Sequence, residues 1–112
     1  MVFRKEVNIG GKLIGNGHPC FIVAEAGVSH FGSLDKALEL VEAAARAGAD
    51  AVKFQVFQTA ELISSVAPEW VERMRPKELP IEAFREIMDY CRQKGIIFFA
   101  TAHDPESLEK LA

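Results

Sequence analysis

Three short apolar runs constrain this chain more than any other feature. They are Cys20–Ala24, Ala51–Phe57 and Ile96–Ala100, and longer segments with helical periodicity separate them. Short runs rich in β-branched and aromatic residues read as buried strands. Strands alternating with helices call for βαβ crossovers and hence a parallel sheet.

The helical segments carry their own start and stop signals. Leu34, Ala37, Leu38, Val41, Ala44 and Ala45 form one apolar stripe. Ser33 can cap its first turn, and Gly48 tolerates the left-handed backbone that ends it. Pro80 is placed as a first helical residue, followed by a stripe of Ile81, Phe84, Ile87, Met88 and Cys91 that stops at Gly95. Asp104-Pro105 is a cap and first turn for a third helix, with Leu108 and Leu111 expected inward. Gln58 to Leu79 reads as irregular, with a short helix near Trp70.

Ahead of the strands, Val7–Ile9 and Lys12–Ile14 flank Gly10-Gly11, the signal of a tight hairpin. Residues 1–18 are therefore expected to form an N-terminal β-hairpin, and residues 19–112 three βα units.

Charge and composition narrow the function classes. The formal net charge of −3 argues against nucleic acid as a partner. No apolar run approaches the ~20 residues that span a bilayer, and residues 1–12 lack the apolar stretch of a signal peptide. Cys20 and Cys91 lie far apart in apolar patterns, without metal-type spacing. Both read as reduced core thiols of a cytoplasmic protein.

An α/β chain of this order begins either a Rossmann-like sheet or a (β/α)8 barrel. The segment after the first strand, Glu25-Ala26-Gly27-Val28-Ser29-His30-Phe31-Gly32, is neither a dinucleotide fingerprint nor a phosphate-cradling P-loop. The expectation is a partial (β/α)8 TIM barrel, its first three βα units preceded by the hairpin. A whole barrel takes about 250 residues, so this chain is too short to hold one.

Strand parity places the polar residues. Val52, Phe54 and Val56 share the face turned to the helices, which leaves Lys53 and Gln55 facing the barrel interior. Glu25 follows Phe21 and Val23 in parity, and Thr101 follows Ile97 and Phe99. Barrel active sites form at the C-terminal ends of the strands, so three strands each deliver a polar group there. Plain structural roles fit the same residues: a Glu25–Lys53 ion pair, a satisfied Gln55 amide, Thr101 to Asp104 as turn and cap, and His30 as an ordinary loop histidine. Glu61, Glu69 and Glu72 read as a solvated face.

Three stretches carry a resemblance. Phe21 to Gly32 is similar to the pattern F-I-I-A-E-I-G-x-N-H-x-G, Ala47 to Gln55 to A-G-A-D-A-V-K-F-Q, and Lys94 to Thr101 supplies a third match in the same order. On these, Pro19 to Ala112 resembles the N-terminal half of the barrel of the sialic acid synthase (N-acetylneuraminate synthase) family. Ser29 departs from the usual asparagine, and Ala102-His103 from a common proline-phenylalanine pair.

The resemblance implies a transferase of sialic acid biosynthesis. Phosphoenolpyruvate would condense with an N-acetylated hexosamine, N-acetylmannosamine or its 6-phosphate, giving a sialic acid and phosphate. It implies that Lys53 and Glu25 are catalytic, with Lys53 binding the anionic phosphoenolpyruvate and Glu25 orienting the sugar and handling protons. Thr101 would bond the phosphate and Gln55 the sugar, with His30 in support. A divalent metal, Mn2+ or Mg2+, would take its ligands outside this chain, and the full-length protein would be a homodimer. The 112-residue chain alone is expected to be inactive.

Three alternatives stay open. One is a pseudaminic, legionaminic or spore-coat sugar synthase of the same family. Another is a Schiff-base aldolase with Lys53 as nucleophile. The last is a non-catalytic interaction fragment, if the chain is complete.

Overall fold

The computed structural model describes residues 2–112. Strands β1 (Glu6–Ile9) and β2 (Lys12–Gly15) form an antiparallel hairpin about Gly10 and Gly11. Then follow β3 (Val23–Gly27), α1 (Leu34–Arg46), β4 (Ala51–Val56), α2 (Thr59–Leu62) and α3 (Pro68–Met74). A 3-10 turn at Arg75–Lys77 leads to α4 (Ile81–Lys94), β5 (Ile97–Ala102) and α5 (Pro105–Leu111).

Strands β3, β4 and β5 make one parallel sheet in sequence order. Right-handed crossovers between successive parallel neighbours put their helices on a single face. The core agrees: Val52, Phe54 and Val56 of β4 pack with Ala37, Val41 and Ala44 of α1 and with Ala83, Phe84, Ile87 and Cys91 of α4. The stripes expected for both helices are the buried ones. Burial also pushes the Cys91 thiol up to about 11.

The helix caps follow the sequence with one displacement. Ser33 accepts from the Lys36 N–H, and Asp104 from the Ser107 N–H. Pro80 is the N-cap of α4 and not its first helical residue. Its ψ of 153° is extended, so the helix begins one residue later.

Other expectations are corrected. β3 starts at Val23, not Cys20, because the Asp50 carboxylate takes the Ile22 N–H at 2.7 Å and the ladder opens with Val23 opposite Ala51. Cys20 therefore precedes the sheet and is exposed, not a core thiol. β5 runs to Ala102, so Thr101 lies within it. Leu108 is exposed, since Ser107 and Leu111 take the inward side of α5. The segment from Gln58 to Leu79 is more regular than expected. It holds α3 around Trp70, as expected, together with α2 and the 3-10 turn.

The hairpin is fixed to the N-terminal end of the sheet. Lys12 pairs with Asp50, and a Cβ at Gly10 would come within 2.6 Å of the Ile97 Cδ1.

Candidate functional site

The sheet face away from α1 and α4 carries Glu25 on β3, Lys53 and Gln55 on β4, and Thr101 on β5. Pleat parity puts them there, because their neighbours Val52, Phe54 and Val56 are buried among the helices. Glu25 stands opposite Lys53 in the parallel register, and Gln55 opposite Thr101. The Lys53 ammonium donates to the Glu25 carboxylate at 2.7 Å. Phe21 and Phe99 stack with ring centroids 6.1 Å apart, and Phe99 is the register partner of Lys53.

A bulge in β3 draws these groups together. The register slips between Glu25 and Gly27, and Ala26 turns into the core. Gly27 has φ +55° and is buried. A Cβ there would sit 3.4 Å from Glu25 Oε1 and 3.7 Å from Gln55 Nε2. Those are ordinary van der Waals distances, so glycine is favoured here by the left-handed backbone and not by crowding.

His30 lies elsewhere. It is fully buried, and its ring is 6.1 Å from that of Phe54, among the helix-facing residues. Its Nδ1 accepts the Gly32 N–H at 2.9 Å, and its Nε2 has no partner. It is neither an ordinary loop histidine nor a neighbour of Lys53. Burial lowers its pKa below 6.5.

The loops after the strands interlock. Gly32 packs under the Pro76 carbonyl, where a Cβ would be 2.3 Å from the oxygen. Beside it Phe31, at φ +50°, lies 5.6 Å from the Lys77 ammonium. Glu78 accepts from the Thr59 N–H at 3.0 Å and its hydroxyl at 2.7 Å. Asp104 accepts from the Gln58 N–H at 2.9 Å. Sequence reasoning missed all of these ties, and only Thr59 could have been suspected, as a polar residue just past a strand end. Glu61, Glu69 and Glu72 are exposed, as expected.

A groove of about 560 Å³ runs from Lys53 and Thr101 along the β5 edge to Arg85 and Lys110. A larger one, about 740 Å³, lies between Ala60, Pro68 and Arg75 and holds none of the four polar residues. The first groove holds two of the four, Lys53 and Thr101. Besides Lys53, Thr101, Arg85 and Lys110 its lining is apolar, including Phe84, Met88, Phe98 and Phe99, and Lys53 and Lys110 are already paired with Glu25 and Glu106. Among the described residues no cluster of three His, Cys, Asp or Glu side chains could hold a metal ion. No helix among them is long and apolar enough to cross a membrane.

Known proteins share this architecture. The NeuB family model matches residues 40–112. The spore coat polysaccharide biosynthesis protein SpsE of Bacillus subtilis is 42% identical over 92% of this chain and 30% of its own length. The N,N'-diacetyllegionaminic acid synthase of Legionella pneumophila is 38% identical over 96% of the chain and 34% of its own. The crystal structure of an N-acetylneuraminic acid synthetase from Leptospira borgpetersenii superposes with a TM-score of 0.89. It is 37% identical, over 95% of this chain and 37% of that one. The chain thus spans about a third of the length of the curated relatives it matches.

Proposed function

This chain belongs to the NeuB family, and from that premise we propose that it contributes the first three βα units of a (β/α)8 barrel in a phosphoenolpyruvate-dependent sugar acid synthase. Its sheet face with Glu25, Lys53, Gln55 and Thr101 would be one wall of the active site. The observation that carries the proposal is the Lys53–Glu25 pair, set opposite each other beside Gln55 and Thr101.

In the proposed reaction, C3 of phosphoenolpyruvate attacks the open-chain aldehyde of an N-acetylated hexosamine. Water adds at C2, and phosphate leaves with cleavage of the C–O bond, giving a nine-carbon 2-keto sugar acid. Lys53 holds the anionic phosphoenolpyruvate, since a fixed cation gains strength where water is excluded. Thr101 donates its hydroxyl to the phosphate. Glu25 orients the sugar and carries a proton, a role open to a carboxylate within reach of the reacting groups. Gln55 bonds the sugar. His30, buried behind β4, supports the loop after β3 through Gly32 and touches no substrate.

A divalent metal, Mn2+ or Mg2+, supplies Lewis-acid polarisation of the aldehyde when bound. The described residues do not make a ligand set for it, so its ligands are proposed to lie outside this chain. A cytoplasmic homodimer is the proposed working form.

The test is phosphate release by the full-length protein, with phosphoenolpyruvate and a panel of N-acetylated amino sugars. The panel includes N-acetylmannosamine, its 6-phosphate and diacetamido hexoses, because the relatives include synthases named for different sugar acids. Release that needs both substrates supports the proposal, and the fastest sugar names the substrate. No release with any sugar contradicts it. A borohydride-trapped pyruvate adduct on Lys53 would point to an aldolase instead.

A further inference from the structure

Backbone pairing between β4 and β5 ends with the His103 N–H donating to the Val56 carbonyl at 3.0 Å. Beyond that point a side chain takes over. Asp104 is only 7% exposed and enters no ion pair among the described residues. Its Oδ1 accepts from the Ser107 N–H at 2.7 Å and from Gln58 Nε2 at 3.4 Å. Its Oδ2 accepts from the Ser107 hydroxyl at 2.7 Å and from the Gln58 N–H at 2.9 Å. Burial works against the charge, but the bonds from Ser107 and Gln58 prevail and hold the carboxyl below its ordinary range.

Capping α5 needs only the bond from the Ser107 N–H. The bonds to Gln58 are additional, and they join two different strands. Gln58 lies three residues after Gln55, and Asp104 lies three after Thr101. Gln55 and Thr101 are themselves register partners. A buried carboxylate with four donors is an expensive way to cap a helix, since its desolvation must be met by every bond it makes.

We propose that Asp104 is a positioning residue for phosphoenolpyruvate, its carboxylate clamping the C-terminal end of β4 to that of β5 so that Thr101 keeps its spacing from Lys53 and Gln55. The proposal rests on the synthase function proposed above. Asp104 touches no substrate. It acts through Gln58, in place of the backbone pairing that stops one residue earlier.

Asp104→Ser in the full-length protein separates the cap from the clamp. Serine is a good N-cap, but its short hydroxyl cannot also reach Gln58. The expected variant is folded, with faster hydrogen exchange at the Gln58 amide. Its KM for phosphoenolpyruvate rises about tenfold, the usual scale for losing a bond to a charged group, and its KM for the amino sugar rises as well, since Gln55 is the register partner of Thr101. Wild-type KM values would overturn the clamp, and so would a loss of activity that merely follows the folded fraction. Asp104→Asn, equal in size, gives the same readouts if the serine variant does not fold. A wild-type protein without turnover would sink the synthase function instead. The clamp would then be decided by exchange alone: it holds if Gln58 is protected in wild type and not in the variant, and fails if the two are alike.

Discussion

Lys53 and Glu25 face each other from directly opposed positions on two parallel strands, with Nζ 2.7 Å from Oε2. Their side chains are 36% and 51% exposed, and pairs this open add little to stability. Glu25→Gln in the full-length protein is therefore expected to leave the thermal midpoint nearly unchanged, the change in stability staying within about 1 kcal/mol. Turnover should fall by about 10²- to 10⁴-fold, the usual contribution of a positioned acid or base. Steady-state kinetics and a melting curve on the same preparation check both halves. A large loss of stability with full turnover would make the pair structural.

The contact between Gly32 and Pro76 fixes the loop after β3 against the loop after β4. Gly32→Ala combines a left-handed backbone at φ +75° with a Cβ 2.3 Å from a carbonyl oxygen. Gly48 has a similar φ of +80° but nothing within 4 Å of a Cβ. Gly48→Ala should cost only the backbone term, about 1–2 kcal/mol, and Gly32→Ala clearly more. Thermal unfolding of the two variants side by side measures the difference, and equal midpoints would show that the loops do not press together.

Much of this arrangement could be read from the sequence, for identifiable reasons. The stripes of α1 and α4 and the β4 run Ala51–Val56 were legible because each is a continuous periodic pattern facing one core. Parity along β4 then placed Lys53 and Gln55. The position of β3 was less legible, since its start depends on Asp50 taking the Ile22 N–H from 28 residues away. The bulge at Ala26 was hidden for the same reason: it exists only in the pairing with β4. Burial of His30 and the reach of Asp104 to Gln58 are tertiary contacts without a local signature. Leu108 misled because a leucine in a short helix signals burial only if a neighbour covers that side.

His30 gives a pH signature. Burial disfavours its charged form, so its folded pKa lies below the ordinary 6.5. The unfolded chain then binds a proton more readily between these two values. The stabilising contribution of neutral His30 is fully present above pH 6.5 and is lost as pH falls through the folded pKa. Nuclear magnetic resonance of the His30 ring in the full-length protein should show a titration midpoint below 6.5. A midpoint at or above that value would contradict the burial and the Gly32 bond together.

The most direct test of the proposed function is phosphoenolpyruvate binding to the full-length protein with and without Lys53→Ala, measured by calorimetry. Removing the cation that pairs with Glu25 should weaken binding about a hundredfold, the scale for losing a fixed charge partner in a site sheltered from water. A melting curve on the same preparation establishes that the variant is folded. Unchanged phosphoenolpyruvate affinity in a folded Lys53→Ala protein would contradict the assignment of this sheet face as the phosphoenolpyruvate site.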